Sequence, residues 1–264
     1  MSVTTSPEYG RGNTDYFVAA NSPLPSMSTV AFIGAGPSTR HSNVLYVGTT
    51  YTGRTSTSVR QTVPAVSSRS LTAGAGLLRF TYVDGLTGGT LLRLRSEAIE
   101  KLPITYVAGF SAAGFAHFIT VQPDQFALEN FGAPPTVSGT FSSRVASVCE
   151  RDRGFYSYVE MPLRCADFNL VGAATVLHPA VDLAARLHLT SESSERRKVV
   201  VAVFSRSLGE GDSPSNQSAV CLYRLVDVRR TYVDNVRRCF SAQQSRVGAQ
   251  FGNRMCVSLV SSPG

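Results

Sequence analysis

This 264-residue chain has little of what membrane proteins and nucleic-acid-binding domains usually carry. It contains no tryptophan, and charged residues make up only 16% of it, below the roughly 25% of an average soluble domain. No segment approaches the ~18 consecutive apolar residues of a membrane-spanning helix. Residues 1–7 do not show the basic stretch followed by an apolar core that marks a signal peptide. The hydrophobic fraction of 43% is that of a folded protein with a sizeable core.

Patterns that carry catalysis or cofactor binding are also missing. Gly34-Ala35-Gly36 resembles the start of a dinucleotide loop, but Pro37 follows, no third glycine is in register and no helix begins there, so a plain turn is predicted. Residues 109–114 miss the nucleophile-elbow spacing by one residue and predict a hairpin tip. The four histidines are dispersed, and His117, inside a hydrophobic strand, predicts a packed imidazole. We therefore expect no enzyme activity, no metal and no cofactor.

The net charge of +7 is spread over scattered arginines, whose densest groups are short. No glycine and aromatic platform accompanies them, so nucleic acid is not an expected partner. An acidic protein surface is the expected complement to diffuse positive charge.

Short alternating or apolar segments separated by Gly, Pro and Ser dominate the chain and predict an all-β fold. Strands are predicted at residues 16–20, 28–33, 43–51, 77–82, 104–110, 115–121, 141–149, 155–161, 168–177, 198–204 and 219–223. A polar loop is predicted up to residue 71, and residues 198–204 predict a strand buried on both faces. Helices are predicted at residues 179–189 and from Leu225 to about Arg238. Strands in runs of three or four fit a sandwich or a propeller.

The five cysteines lie in the second half of the chain, and none forms a CxxC unit, which gives thiolate metal binding little support. Two alternatives remain at this point: buried thiols in a cytosolic protein, or disulfides in a secreted one. Asn216-Gln217-Ser218 matches the N-glycosylation pattern and favours secretion. The cysteines are Cys149, Cys165, Cys221, Cys239 and Cys256.

Two segments resemble a known family. Residues 155–165, which read Phe-Tyr-Ser-Tyr-Val-Glu-Met-Pro-Leu-Arg-Cys, resemble the strand-and-cysteine signature of plexin sema domains. Residues 106–110 and 118–122 resemble the aromatic hairpin of the same domains. Scatter-factor receptor tyrosine kinases share both patterns and are the alternative family. The Tyr-Ser-Tyr-Val-Glu spelling and the absence of a basic furin-like site favour plexins.

The resemblance implies a seven-bladed β-propeller, of which this chain holds strands for about three to four blades. We accordingly expect residues 1–264 to be a partial sema domain, a fragment without its N-terminal blade or blades, its C-terminal blades, the signal peptide and the membrane span.

The resemblance also implies two disulfides, Cys165–Cys221 and Cys239–Cys256, with Cys149 left to pair beyond Gly264. The implied function is extracellular: part of a single-pass plasma-membrane receptor that binds semaphorins, sema domain to sema domain, in guidance and migration signalling. A co-receptor or receptor self-association is a further implied partner. Ligand-contact residues cannot be assigned, and the Ser/Thr/Arg-rich residues 52–69 are candidates by expected exposure alone.

Overall fold

The computed structural model describes residues 29–39, 41–51, 63–74, 76–83, 89–94, 102–127, 136–209 and 211–240, with the backbone alone at residues 124–127, 136–139 and 238–240. Strands dominate these residues, as the sequence predicts. The strands are β1 (Thr29–Ser38), β2 (His41–Thr49), β3 (Val66–Ser70), β4 (Leu91–Leu92), β5 (Thr105–Ala112), β6 (Phe115–Ala127), β7 (Thr136–Cys149), β8 (Val159–Pro162), β9 (Leu170–Leu177), β10 (Val199–Ser207) and β11 (Pro214–Arg224). The helices are α1 (Val181–Arg186) and α2 (Leu225–Phe240).

The strands form three antiparallel sheets in which neighbours in sequence are neighbours in space. The first sheet has the order β1-β2-β3-β4, the second β5-β6-β7-β8 and the third β9-β10-β11. Such consecutive meanders of about four strands are the blades from which propellers are built.

The three sheets pack face to face in sequence order. Strand β1 packs on β5, and β5 packs on β9, so the first strands of the sheets lie side by side. One buried cluster fills the junction between the first and second sheets, and another fills the junction between the second and third. Helix α2 packs on β8 and β11, between the far strands of the latter two sheets. The all-β prediction is confirmed, and three stacked meanders fit part of a propeller.

The predicted turn at residues 34–37 is wrong, because β1 continues through it to Ser38. The strand stays paired with β2 up to an irregularity between Ala35 and Ser38. Glycine permits this, since a Cβ at Gly36 would lie 1.7 Å from the carbonyl oxygen of His41. The predicted hairpin at residues 109–114 is confirmed by the β5–β6 turn at Ala113 and Gly114.

The expected exposed loop at residues 52–69 is wrong for its described part. Residues 63–70 are buried, and Val66–Ser70 is an inner strand between β2 and β4. Arg69 is fully buried: its guanidinium lies 3.9 Å from the Phe80 ring centre, and its Nε donates to Ser67 Oγ at 3.0 Å. Residues 52–62, and the strand predicted at residues 16–20, lie outside the described residues.

Three further predictions need correction. Residues 77–82 form no regular strand: Phe80 makes an isolated bridge to Arg69, and neighbouring residues share irregular backbone hydrogen bonds with Ser68 and Ser70. Strand β10 is not buried on both faces, since Val203 is 41% exposed. Helix α1 is shorter than predicted because the chain leaves the helix at Leu187, and His188 has a φ of 54°. Helix α2 matches its prediction. Neither described helix combines the length and apolarity needed to cross a bilayer.

Candidate recognition surface at the junction of the second and third sheets

A polar turn follows β7 and sets the direction of the chain into β8. The Asp152 carboxylate accepts hydrogen bonds from the backbone N–H of Gly154 at 3.0 Å and of Ser157 at 2.6 Å, and from the Ser157 hydroxyl at 2.7 Å. Ser157 Oγ in turn accepts from the backbone N–H of Cys149 at 2.9 Å. The strand predicted at residues 155–161 therefore starts only at Val159, and Phe155 has a φ of 53°. The Asp-Arg-Gly sequence was the local signal for this turn.

A buried carboxylate anchors β8. Glu160 accepts a hydrogen bond from the Tyr158 hydroxyl at 2.8 Å and another from Gln122 Nε2 at 2.7 Å. The guanidinium of Arg144 lies 3.4 Å from the same carboxylate and gives it a counter-charge. A buried charge is tolerated when it is paired and hydrogen-bonded in this way. Glu160 therefore holds β6, β7 and β8 together, and sequence reasoning missed it because Gln122 and Arg144 lie far from it in the chain.

A disulfide joins the end of the second sheet to the third. Cys165 and Cys221 are bonded with an S–S distance of 2.07 Å and a Cα–Cα distance of 5.8 Å. This confirms the pairing that the family resemblance implies. Beside it, the Tyr223 hydroxyl donates to the carbonyl of Arg164 at 2.7 Å, which is a second link between the same two segments.

The other cysteines have different positions. Cys149 is a half-buried free thiol at the end of β7. Cys239 lies in α2, but its side chain and Cys256 fall outside what the structure describes, so the Cys239–Cys256 pairing stays a prediction. The pairing of Cys149 beyond residue 264 also stays a prediction.

The predicted glycosylation residue lies on the surface. Asn216 is exposed on β11, close to an irregularity in the pairing of β11 with β10 between Ser205 and Ser207. This position leaves the amide accessible, and its modification stays a prediction.

A groove of about 370 Å³ opens where the second and third sheets diverge beside α2. Its floor is apolar and its rim carries charged side chains. The residues that line it are Val145, Met161, Pro162, Leu163, Arg186, Leu187, His188, Leu222, Tyr223, Arg224, Asp227, Val228 and Thr231. These residues come from β7, β8, β11, both helices and the segments next to them, so no local sequence pattern could have brought the set together.

The titratable groups next to this region have structural roles. Burial lowers the pKa of His117 to about 4, so the imidazole is neutral at physiological pH. Its Nδ1 is hydrogen-bonded to Ser147 Oγ at 2.8 Å, and its ring stacks on Phe110 at 4.9 Å between ring centres. The predicted packed imidazole is therefore confirmed.

No group of three or more His, Cys, Asp or Glu side chains within the described part of the chain lies close enough together to hold a metal ion. Buried polar groups such as Glu160 and His117 are held among strands, and the accessible charged side chains of Arg186, Arg224 and Asp227 line the groove. Such an arrangement fits molecular recognition, in which a rigid surface meets a partner by shape and charge.

Comparison with known proteins gives consistent matches. The family described as Sema domain matches residues 183–258. Human Plexin-A3 is 27% identical over 240 residues, which cover 86% of this chain and 12% of that protein. Plexin-A4 of Danio rerio is 28% identical over 216 residues, which cover 75% of this chain and 11% of that protein. The chain thus spans about one-eighth of the length of these relatives.

Among solved structures, the full extracellular region of plexin A4 superposes with a TM-score of 0.68 at 22% identity. The superposition covers 86% of this chain and 24% of that chain, and it shows the fold. The resemblance seen in the sequence is confirmed: residues 183–258 match the Sema domain family, and the chain is similar to plexins over most of its length.

Proposed function

We propose that this chain is part of a plexin-family sema domain, that it is the ligand-recognition part of a plexin-like cell-surface receptor, and that it binds the sema domain of a semaphorin. The observation that carries the proposal is the similarity to two plexins over 75% and 86% of the chain. We further propose that residues 1–264 belong to one sema domain, part of a larger propeller.

The physical basis of binding is a rigid surface that holds its shape before the partner arrives. The Cys165–Cys221 disulfide and α2 fix the second and third sheets relative to each other, and the Glu160 network holds the strands of the second sheet together. A preorganised surface loses little conformational entropy on binding, so more of the contact energy appears as affinity. The net charge of +7 accelerates encounter with an acidic partner surface.

The proposed location is outside the cell, in a single-pass receptor of the plasma membrane. A disulfide between Cys165 and Cys221 fits an oxidising compartment, and the exposed Asn216 sequon fits passage through the secretory pathway. Ligand binding would bring receptors together, with or without a co-receptor, and the signal would be read by cytoplasmic parts of the receptor. The proposed role of this domain is recognition without catalysis.

The test is a binding measurement on the chain secreted from mammalian cells and immobilised through its C-terminus. Purified ectodomains from each semaphorin class are passed over it, and surface plasmon resonance should show saturable binding for at least one class. Raising the ionic strength should slow association more than it speeds dissociation. The absence of saturable binding across the panel would overturn the proposal.

A parallel arm uses a hepatocyte-growth-factor-type ligand in place of semaphorin. Saturable binding of that ligand alone would assign the domain to the alternative receptor class. Substitution of Asn216 supplies an internal control. The Asn216→Gln variant should have a secreted mass that is lower by one glycan, and its fold should stay intact.

A further inference from the structure

We infer that the groove between the second and third sheets binds an acidic segment of a protein partner through one large apolar side chain. This groove is the 370 Å³ space beside α2 described above. The inference concerns this surface alone and does not depend on semaphorin being the ligand.

The floor of the groove is suited to an apolar anchor. Val145, Met161, Leu163 and Val228 line it and are only 1–8% exposed, so the floor is apolar and is fixed by the packing beneath it. A volume of about 370 Å³ is in the range of pockets that accept one large side chain or a small ligand. Aromatic and large aliphatic anchors buried in such pockets carry most of the energy at protein interfaces.

Exposed apolar residues of the third sheet lie at the rim of the groove and beyond it. Leu222 is 45% exposed on the groove rim, Val220 is 60% exposed two residues earlier, and Val203 pairs with Val220 in the ladder and is 41% exposed. Val203 lies between Ala202 and Phe204, which face the second sheet, so Val203 and Val220 lie on the opposite face of the third sheet, where a further blade of the proposed propeller would pack. Leu222 alone of the three lines the groove, and it gives an anchor further apolar contact at the rim.

The rim favours acidic neighbours of that anchor. Arg186, His188 and Arg224 line it, and Asp227 is its one carboxylate. The Asp227 carboxylate accepts from Arg224 Nε at 2.5 Å and from Arg230 Nη1 at 3.2 Å, so this pairing compensates Arg224 as well as Asp227 and leaves Arg186 as the rim arginine open to a partner carboxylate. Arg186 is exposed and has no ion pair among the described residues. A carboxylate on the partner therefore gains a counter-charge at this rim.

The groove is held open by bonds around its edge. The Cys165–Cys221 disulfide and the hydrogen bond from Tyr223 to the Arg164 carbonyl fix one side. On the other side, Arg224 Nη1 donates to the carbonyl of Leu187 at 3.2 Å and ties β11 to the end of α1. A site shaped before binding suits insertion of a side chain better than wrapping by a flexible ligand.

A polyanion such as a sulfated polysaccharide fits this surface less well. It would need a row of uncompensated cations, whereas Arg230 and Arg237 on α2 are paired with Asp227 and Asp234. It would also leave the apolar floor and Leu222 without a contact. The combination of apolar floor and basic rim is therefore better matched by an acidic peptide with a hydrophobic residue.

The test uses the full chain, labelled with ¹³C at its methionine methyl groups, and a fluorescein-labelled peptide with one phenylalanine between two pairs of glutamates. The methyl of Met161 reports on the floor, and Met161→Leu identifies its signal. We expect a saturable shift of that signal, with the anisotropy change fitting the same dissociation constant. Replacing the phenylalanine with serine, or the glutamates with lysines, should weaken binding at least tenfold.

Matched protein variants distinguish binding at the groove from nonspecific electrostatic attraction. Arg186→Glu on the rim should weaken the peptide at least fivefold, and Arg196→Glu, an exposed arginine outside the groove, should leave its affinity unchanged. Equal losses in the two variants, an unshifted Met161 methyl, or a heparin oligosaccharide that produces the Met161 shift in place of the peptide would each overturn the inference. None of these results depends on whether a semaphorin binds.

Discussion

The second sheet is joined to its two neighbours by different means. At the junction with the first sheet, aromatic rings pack against glycine backbone: Phe32 lies 5.2 Å from Phe118 and 5.5 Å from Tyr46 between ring centres. A Cβ added at Gly109 would lie 2.4 Å from the Phe32 ring, and one at Gly48 would lie 2.5 Å from Tyr106. The rings therefore occupy the space that glycine leaves free.

At the junction with the third sheet, the packing is more aliphatic and is reinforced by a covalent bond and a helix. Val200, Ala202 and Phe204 of β10 face the second sheet, and the Cys165–Cys221 disulfide links the two sheets beside them. Tyr232 of α2 packs on Phe115 and donates to the carbonyl of Ser157 at 2.7 Å.

One fold thus uses two routes to the same sheet-on-sheet contact. The first junction depends on close fit, so small additions of volume should disturb it. The second junction depends on a cross-link and a helix, so its stability should depend on covalent chemistry and on the buried groups beneath α2.

Loss of the cross-link should have the largest effect. Replacing both Cys165 and Cys221 with alanine opens a link between residues 56 apart in sequence, and the chain-entropy relation puts the loss near 4 kcal/mol of unfolding free energy. Urea unfolding followed by circular dichroism measures it, and hydrogen exchange should accelerate in β9–β11 before β5–β7. Cys149→Ala, which removes a free thiol, is the control and should change the free energy of unfolding by less than about 0.5 kcal/mol. If the double replacement and Cys149→Ala lowered the free energy of unfolding equally, the second junction would not depend on its cross-link as proposed.

Acidification should weaken the second junction through His117. Burial holds the pKa of this imidazole at about 4 in the folded chain, against 6.5 for the unfolded group. Between these values the unfolded chain binds the proton and the folded chain does not, so stability falls as pH is lowered from 6.5 to 4, by about 3 kcal/mol in total. Urea midpoints at pH 7 and 4.5 measure the loss.

The matched variants for this pH effect are His117→Asn, which can still bond to Ser147, and His178→Asn at an exposed position. The first should flatten the pH dependence and the second should not. An unchanged slope in His117→Asn would contradict the assignment.

Added volume should damage the first junction selectively. Gly109→Ala places a methyl group into the Phe32 ring and should lower the unfolding free energy by about 1–3 kcal/mol. Gly172→Ala is the matched change in β9, where an added Cβ meets nothing within 4 Å, and it should be neutral or slightly stabilising. Thermal unfolding of the two variants tests this. A Gly109→Ala variant as stable as Gly172→Ala would show that the Phe32 ring can move aside at little energetic cost.

The second junction was more visible in the sequence than the first. Alternating apolar residues, or for β10 a continuous apolar run, predicted β7, β9, β10 and β11, and the spacing of Leu225, Val228 and Tyr232 predicted α2. The disulfide followed from the resemblance to a family. The groove could not be predicted, because Val145, Arg186 and Leu222 meet only through the packing of three separate elements.

Two segments of the first sheet have structures that differ from those that their sequences predicted. Strand β3 has serines and an arginine after Val66, and this polar sequence predicted a loop. Inside the fold, however, Ser68 Oγ is hydrogen-bonded to Thr81 Oγ1 at 2.7 Å, and Thr81 Oγ1 is hydrogen-bonded to Thr90 Oγ1 at 2.9 Å. Polar residues are stable in a core when their hydrogen bonds are satisfied, and those partners are not adjacent in sequence. Gly34 likewise predicted a turn. The side chains that occupy the space beside it, Glu150 and Ser111, lie far away in the sequence, so its packing role was not visible there.

The smallest effect should come from Glu150, which lies between the first and second sheets. Its Oε1 accepts from the backbone N–H of Ala35 at 3.2 Å and from the Ser111 hydroxyl at 2.5 Å, and burial raises the pKa of the carboxyl. Because the folded chain holds the proton to higher pH than the unfolded chain, stability falls as pH rises between the unfolded and folded pKa values. Glu150→Gln keeps the acceptor without this loss, so it should match or exceed the parent stability at pH 8 and lose that advantage in acid.

Glu150→Ala removes the acceptor as well and should lower the unfolding free energy by about 1 kcal/mol at every pH, since both donors then lack their partner. Urea unfolding of the parent chain and both variants from pH 4 to 8 measures these differences. The two junctions should thus respond oppositely to pH, the first weakening as pH rises past the Glu150 carboxyl and the second as pH falls past the His117 imidazole. If Glu150→Gln and His117→Asn changed the pH dependence of stability in the same direction, a neighbouring charge would have to stabilise the charged form of Glu150 or His117 in the folded chain. The two junctions would then not differ in the way that their buried groups indicate.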